Sequence, residues 1–530
     1  MPEIPSSQNT IRKTGLFLGI VLFLAILLLP PPGGMELPAQ RMAAVAALMA
    51  SWWITEAVPI AVTSLLPLVL FPVLGISPSD KVAPYYADHT IYLFLGGFIV
   101  ALAIQKWNLH RRIALHIICR LGLRPSRLVL GFMVSTAFLS MWMSNTACAM
   151  MMYPIGMSLV TQLATAPGEG TTTDSAPDAT VMQNFGVVLM LAIAYAASIG
   201  GMGTLIGTPP NLVFAGAAHR LFPEAPEVGF LQWMKIGVPM VVLFVPLAWI
   251  YLCRFGSPVP VSGIHFRSNP EIIQDELRKL GKLSAAEKRV LAIWVSMAFL
   301  WITRSPLTLG SINVPGWSQL LGQYSSYVHD ATVSMAMALL LFLMPVPQET
   351  LNNGQNQRKI YLMDWETVRH GVPWEILLLF GGGFALAAGF EQTGLSAWIG
   401  TLLNGLAGLS PVLIAATVCL GITLFSEMAS NTATALLAMP ILAATALQIG
   451  VHPYLLMVSG TLAASCGFML PVATPPNAIA YSSGWITSPQ MARAGLALDL
   501  MGILLITLIV YWLGAPVFGI SMTQLPAWAK

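Results

Sequence analysis

The chain has 530 residues, 56% hydrophobic and only 9% charged, with a mean hydropathy of +0.74 and a formal net charge of +3. Soluble domains carry about 25% charged residues, so this composition cannot cover a water-facing surface, and it gives no basic face for a nucleic-acid partner. Apolar runs of about 20 residues, enough to cross a bilayer, recur along the whole chain, while the alternating segments of an outer-membrane barrel are absent; the class is an all-α polytopic membrane protein.

In chain order, "GLFLGIVLFLAILLLP" (15–30) follows Arg12 and Lys13 as a signal peptide would. The "PPGGMELP" after it offers no small-residue cleavage site, so the segment reads as the first membrane helix. Predicted spans run over 14–32, 42–57, 59–75, 90–106, a polar-interrupted pair at 128–160, then 183–218, 235–254, 290–303, 329–346 and 373–391. A second interrupted pair at 410–447 and spans at 454–482 and 495–514 complete the list. Residues 161–180 read as a flexible polar loop and 268–289 as one or two cytoplasmic surface helices, with 278–289 a solvated face. The cysteines (Cys119, Cys148, Cys253, Cys419, Cys466) are scattered without a CxxC pair, which argues against a disulfide framework or zinc site, and the eight histidines show no metal spacing.

Lysines and arginines orient the spans. With the N-terminus in the cytoplasm and each interrupted pair entering and leaving on one side, 19 of the 25 fall inside: positions 12 and 13, six in 106–127, seven in 254–289, then 358, 359, 369 and 493. That asymmetry fits the positive-inside rule and favours two re-entrant hairpins.

The interrupted pairs carry nearly the same phrase, "LSMWMSNTACAMMMYPIG" (139–156) and "FSEMASNTATALLAMPIL" (425–442). At an offset of 286, Phe94, Gly96, Gly97 and Phe98 fall on Phe380, Gly382, Gly383 and Phe384, and Ser140 falls on Ser426. Ser144-Asn145-Thr146-Ala147 then falls on Ser430-Asn431-Thr432-Ala433, and Pro154 on Pro440. Downstream, "GTPPN" (207–211) matches "ATPPN" (473–477) at an offset of 266, the missing 20 residues equalling the loop 161–180. The chain is thus an internal duplication with one insertion, and the charge-based topology makes the repeats inverted. Transporters of that architecture place their site at the repeat interface near the bilayer midplane.

In hydrocarbon, non-helical backbone survives only where protein or a water-filled cavity surrounds it. Ser, Asn and Thr cap helix N-termini, whose free N–H groups and positive dipole end attract anions. Each SNT is expected at a hairpin tip, and each TPPN to break a long helix, because proline cannot continue the preceding turn. Two tips and two broken helices make one polar chamber whose oxygens suit an alkali cation and whose hydroxyls and amides suit a carboxylate. Neither motif holds a lysine or arginine, so a multivalent anion would need co-bound cations. The glycines of "FLGGF" and "FGGGF" and the methionines of "MMMYPIGM" read as packing, and Glu427, where the first motif has Met141, is an intramembrane acid of the kind that often serves function.

With its paired SNT and TPPN motifs and "WWITEAVPI" (52–60), nearly the whole chain resembles the divalent anion/sodium symporter family of dicarboxylate, citrate and sulfate carriers. The resemblance implies eleven membrane helices and two re-entrant hairpins per protomer, a homodimer, and an elevator motion of a transport domain against a scaffold. It divides the chain into scaffold at 10–127 and 290–409, transport domain at 128–254 and 410–530, and a cytoplasmic linker at 255–289. It places one sodium ion at Ser140, Ser144, Asn145 and the Gly207 backbone, and a second at Ser426, Ser430, Asn431 and the Ala473 backbone. The substrate carboxylates fall to Ser144, Asn145, Thr146, Ser430, Asn431 and Thr432, with Thr474 and Pro475, and Thr208 and Pro209, beside them.

The expected function is sodium-coupled import of C4-dicarboxylates such as succinate, malate or fumarate across the bacterial cytoplasmic membrane, with no cofactor beyond the coupling ion. The alternative is a sodium-independent exchanger of dicarboxylate, tartrate, citrate or 2-oxoglutarate. An intramembrane enzyme would need a base or metal ligands beside a nucleophile, and no His or Asp adjoins the Ser and Asn pairs.

Overall fold

The computed structural model describes residues 6–122, 124–165, 179–256, 261, 271–309, 312–346, 360–402, 408–521 and 524–529. Most of the predicted loop 161–180, the first part of the linker 255–289, and Arg267, Arg358 and Lys359 lie outside them. The described residues are helical apart from one short antiparallel hairpin, Leu307–Leu309 with Ile312–Val314, and an isolated bridge between Pro345 and Tyr361.

The duplication is visible in the order of elements. His89–Lys106, Leu109–Leu121, Pro125–Ser140, Asn145–Thr165, Ala179–Gly201, Pro209–Leu221 and Phe230–Phe255 are followed, in the same order, by Trp374–Gln392, Leu395–Leu402, Pro411–Met428, Asn431–Ile449, Pro453–Ala464, Pro475–Tyr481 and Ser488–Phe518. The predicted spans omitted Leu109–Leu121 ("LHRRIALHIICRL") and Leu395–Leu402, because neither forms a long apolar run. Predicted span 59–75 is two pieces, Ile60–Thr63 and Leu66–Val73, and 183–218 and 454–482 are both broken. Among the described residues eight helices are long and apolar enough to cross a bilayer, nine if the bent pair around Val328 counts as one. Pro125–Ser140 is shorter, since 16 residues reach only about 24 Å against a hydrocarbon core of about 30 Å.

Burial follows lipid exposure. Residues 184–201 are wholly buried, whereas Ser488–Phe518 turns Leu496, Leu500, Leu504, Leu508 and Trp512 outward at near-helical spacing. A stripe of that kind belongs against acyl chains, which lack any need for polar cover. The paired glycines permit close packing as expected: a Cβ at Gly96 would meet the Ser334 carbonyl carbon at 2.6 Å, and one at Gly382 would meet the Ser64 Cα at 2.8 Å.

Ion pairs tie the ends of the helices. The run 278–289 is only partly a solvated face, because Glu287 is buried, accepts from Arg112 Nε at 2.7 Å, and closes a capping box with Ser284. At a separate cluster Arg304 reaches Asp330 Oδ1 (2.5 Å) and Glu227 Oε1 (2.9 Å), and Arg220 reaches Asp88 Oδ2 (2.6 Å).

A candidate substrate and cation chamber between the two repeats

Both SNT motifs begin helices. In the first repeat Pro125–Ser140 turns through Met141–Ser144 into Asn145–Thr165, and in the second Pro411–Met428 turns through Ala429 and Ser430 into Asn431–Ile449. Ser144 Oγ accepts from the Ala147 amide at 3.3 Å, an N-cap. Ser430 also occupies the N-cap position but makes no such bond, so the expected capping holds at one tip only and the second tip keeps its amide donors open.

Behind each tip the earlier serine locks the asparagine. Ser426 Oγ donates to Asn431 Oδ1 (2.9 Å) or to the Ala464 carbonyl (2.7 Å), and Ser140 Oγ lies 2.7 Å from both the Asn145 amide and the Ala197 carbonyl. Turned with its nitrogen inward, the Asn145 amide donates to Ser140 Oγ (2.7 Å), Ala197 O (3.1 Å) and Gly207 O (3.2 Å). Turned with its oxygen inward, it joins Ser140 Oγ and the Ala197 and Gly207 carbonyls in one cluster of four oxygens, the ligand type that hard cations take. The predicted ligands Ser140, Asn145 and Gly207 are therefore one group.

The breaks are held open by asparagines that sequence reasoning left without a role. Asn211 Nδ2 donates to Gly201 O (3.0 Å) and Thr204 O (2.7 Å); Asn477 Nδ2 donates to Gly467 O (2.9 Å) and Leu470 O (3.0 Å). All three positions are related by the same offset of 266. Each amide replaces the helical donors that unwinding removed. The close approach also explains why the first break reads GTPPN and the second ATPPN. A Cβ at Gly207 would meet Gly201 O at 2.5 Å and Ser140 O at 3.0 Å, whereas Ala473 has room, a Cβ placed at Gly467 lying 3.4 Å from that of Ala473.

Hairpin and break are also joined, in opposite senses. In the first repeat Thr204 donates from the break to the Met141 carbonyl. In the second, Glu427 at the hairpin accepts from the amides of Met469 (2.7 Å) and Leu470 (2.9 Å). Met141 and Glu427 are equivalent positions, as are Thr204 and Leu470.

The tips and breaks converge on one cavity of about 520 Å³, within the range of about 300–1,000 Å³ usual for small-molecule sites. Ser144, Asn145, Thr146, Gly207, Thr208 and Pro209 line it from the first repeat, and Ser430, Asn431, Thr432, Ala473, Thr474 and Pro475 from the second. Ser140 and Ser426 do not; they are fully buried behind the asparagines. Sequence reasoning missed the wall opposite, formed by Phe94, Phe98, Ile376 and Leu379 with two acids, Glu56 and Glu375. Glu56 sits inside the quoted WITEAVPI at a left-handed turn (φ 47°), ending the helix Leu37–Thr55. Among the described residues lining this cavity there is no lysine, arginine or histidine.

The family described as sodium:sulfate symporter transmembrane region matches residues 11–520. A Staphylococcus saprophyticus protein named sodium-dependent dicarboxylate transporter SdcS is 41% identical over 518 residues, covering 98% of this chain and 94% of that one. A Staphylococcus aureus protein of the same name is 40% identical over 516 residues, with 97% and 94% covered. Among solved structures, the Alcanivorax borkumensis YdaH transporter (TM-score 0.52, 13% identity, 90% of this chain and 98% of that one) shares the fold. So does Neisseria gonorrhoeae MtrF, described with a class of antimetabolite efflux pumps (TM-score 0.52, 13% identity, 94% and 96% covered).

Proposed function

The chain belongs to the sodium:sulfate symporter family, a multi-pass membrane protein and not an enzyme, and from that premise we propose that it imports C4-dicarboxylates such as succinate, malate and fumarate, driven by sodium. One observation carries the reading: both SNT tips and both TPPN breaks line a single cavity whose described lining offers no fixed positive charge and two acids. A dianion entering it meets amide and hydroxyl donors and the N-termini of Asn145–Thr165 and Asn431–Ile449, which favour negative charge. Full neutralisation then depends on cations brought with it, so anion and cation bind as partners. The sodium ions are assigned to Ser140, Ser144, Asn145 and Gly207, and to Ser426, Ser430, Asn431 and Ala473. The carboxylates are assigned to Ser144, Asn145, Thr146, Ser430, Asn431 and Thr432, with Thr208, Pro209, Thr474 and Pro475 at their sides. The names of the staphylococcal relatives support dicarboxylate and sodium.

The cavity's two walls fall on different sides of the division drawn from sequence: Glu56, Phe94, Phe98 and Glu375 on the scaffold (10–127, 290–409), the motifs on the transport domain (128–254, 410–530). Sliding one wall past the other would carry the site across the bilayer, and a homodimer of scaffolds would give the fixed frame.

The test is uptake of labelled succinate into proteoliposomes, with and without an inward sodium gradient, the vesicles empty or preloaded with succinate. Uptake into empty vesicles that requires sodium, and is lost in Asn145→Ala and Asn431→Ala, is the expected result. Uptake only into preloaded vesicles and indifferent to sodium would make the protein an exchanger and overturn the sodium assignments.

A further inference from the structure

Ion pairs join the two walls of the cavity at one end of the molecule only. Arg220, in the transport part, reaches Asp88 Oδ2 of the scaffold at 2.6 Å, with both side chains largely buried. Its guanidinium also lies over the rings of Tyr85 (4.5 Å) and Phe384 (4.9 Å). Further along the chain Glu227 Oε1 meets Arg304 Nη2 at 2.9 Å and His329 Nδ1 at 3.4 Å, again across the division. The Phe230 amide donates to Asp330 Oδ2 (2.7 Å), and the Phe230 ring stacks on Trp301 at 4.3 Å. Every other ion pair among the described residues stays within the scaffold, within the linker, or joins those two. The charge-based topology puts Arg220 and Arg304 outside, so the crossing pairs are all external. The cavity opens the other way, because Glu56 at its exposed rim lies 3.6 Å from Arg12, a residue on the cytoplasmic side.

The duplication shows what the cytoplasmic end lacks. It extends into the scaffold, where Trp301-Ile302-Thr303-Arg304 repeats Trp53-Ile54-Thr55-Glu56 at an offset of 248. Trp301 Nε1 reaches the carbonyl of Asp330, the first residue of its helix, at 2.9 Å, and Trp53 Nε1 reaches that of Ile60, the first residue of Ile60–Thr63, at 3.4 Å. Arg304 therefore falls on Glu56, and at the offset of 286 Asp88 falls on Trp374. After the first break "HRLFPEAPEVG" (219–229) carries Arg220, Glu224 and Glu227, whereas after the second "YSSGWIT" (481–487) carries no acidic or basic residue. The inverted repeat thus has no charges with which to rebuild these pairs at the cytoplasmic end when the site faces outward.

We propose that the Asp88–Arg220 and Glu227–Arg304 pairs form an external lock that holds the transport domain facing the cytoplasm, and that unlocking limits the return of the empty protein. The lock rests on the reading of two parts that slide past one another. Removing one partner leaves the other stranded in the locked arrangement, where it is shielded from water, and so favours the unlocked one. With no equivalent pair to gain at the opposite end, the substrate-free protein rests facing inward. Asp88, Arg220, Glu227 and Arg304 are positioning residues: none of them lines the cavity, yet together they set how often it opens outward.

The test is the rate at which a membrane-impermeant thiol reagent, applied outside right-side-out vesicles, modifies Val472→Cys, an exposed position of the cavity. The same protein without the added cysteine serves as the blank. In the absence of sodium and succinate the rate should be low, and it should rise about tenfold or more in Asp88→Asn. That substitution removes the charge but keeps an oxygen to cap the Thr90 amide. Arg220→Gln reads the same pair from the other part and should raise the rate similarly, and Glu227→Gln added to Asp88→Asn should raise it further. Arg112→Gln breaks a buried pair that does not cross the division and should leave the rate low. Unchanged rates in both Asp88→Asn and Arg220→Gln, or an equal rise in Arg112→Gln, overturn the lock. If the added cysteine stays unlabelled from outside even while the protein exchanges succinate, the sliding reading itself fails; labelling during exchange with equal substrate-free rates in all variants fails the lock alone.

Discussion

Gly201 and Gly467 are equivalent glycines at the two breaks, and their surroundings differ enough to separate the two SNT sites by one methyl group. A Cβ at Gly201 would lie 2.5 Å from Asn145 Oδ1 and 3.1 Å from its Nδ2, so Gly201→Ala must push the amide out of its place. A Cβ at Gly467 would meet Asn431 Oδ1 at 3.4 Å, ordinary contact. The displaced Asn145 amide withdraws its oxygen from the cluster it forms with Ser140 Oγ and the Ala197 and Gly207 carbonyls, and the ion loses one ligand. A contact to a charged partner is worth up to about 3 kcal/mol, so the loss is about 2–3 kcal/mol. With 1.4 kcal/mol for each tenfold change, the sodium concentration giving half-maximal succinate uptake should rise about 30- to 100-fold in Gly201→Ala. In Gly467→Ala it should stay within about twofold. Sodium titration of initial uptake in proteoliposomes reads both. Equal effects of the two substitutions, or none in Gly201→Ala, would mean that Asn145 does not set cation affinity from the position described.

Gly207→Ala, which forces a methyl group against the Gly201 and Ser140 carbonyls, should weaken sodium dependence at least as much as Gly201→Ala, whereas Ala473→Gly should leave it nearly unchanged; the same titration checks both. Arg304→Ala strands the buried Asp330 and should cost about 3–5 kcal/mol, seen as a large drop in the detergent-solubilised melting temperature; an unchanged value would refute the pairing. Burial pushes Glu227 up, but His329 and Arg304 outweigh it and hold the carboxyl at about 2, while that hydrogen bond lifts His329 above its ordinary value. The Glu227 contribution is therefore present above an ordinary carboxylate value near 4.3 and lost as pH falls through about 2, whereas that of His329 is present below about 6.5 and lost as pH rises through its lifted value. The melting temperature should fall from pH 6.5 to 8.5, and fall less in His329→Ala; an equal slope in that variant refutes the assignment.

Much of the chamber was legible because it is written twice. The register of Ser140 on Ser426 and Gly207 on Ala473 depends only on counting, and cavity walls built from duplicated tips and breaks follow from it. The wall opposite was not legible, since Phe94 lies in a run that reads as packing, and Glu56 and Glu375 lie far from either motif in sequence. Asn211 and Asn477 stood inside the quoted TPPN, but their work is to bind carbonyls of an unwound turn, and no spacing rule announces a backbone that is about to unwind. The amphipathic helix Leu109–Leu121 escaped because a search for continuous apolar runs passes over a helix that alternates basic and apolar faces.

Residues 184–201 are buried on every side, and part of what covers this helix arrives late in synthesis. Gly186 packs against the Trp485 ring, and Tyr195 donates to the Met491 carbonyl at 3.2 Å. When the ribosome has made the first repeat alone, this helix has none of those neighbours and stands among lipids it was not shaped to meet. Its final seat exists only once residues near 490 have emerged. The two halves thus complete one another's packing: a chain truncated in the linker would leave this helix without its Trp485 and Met491 contacts.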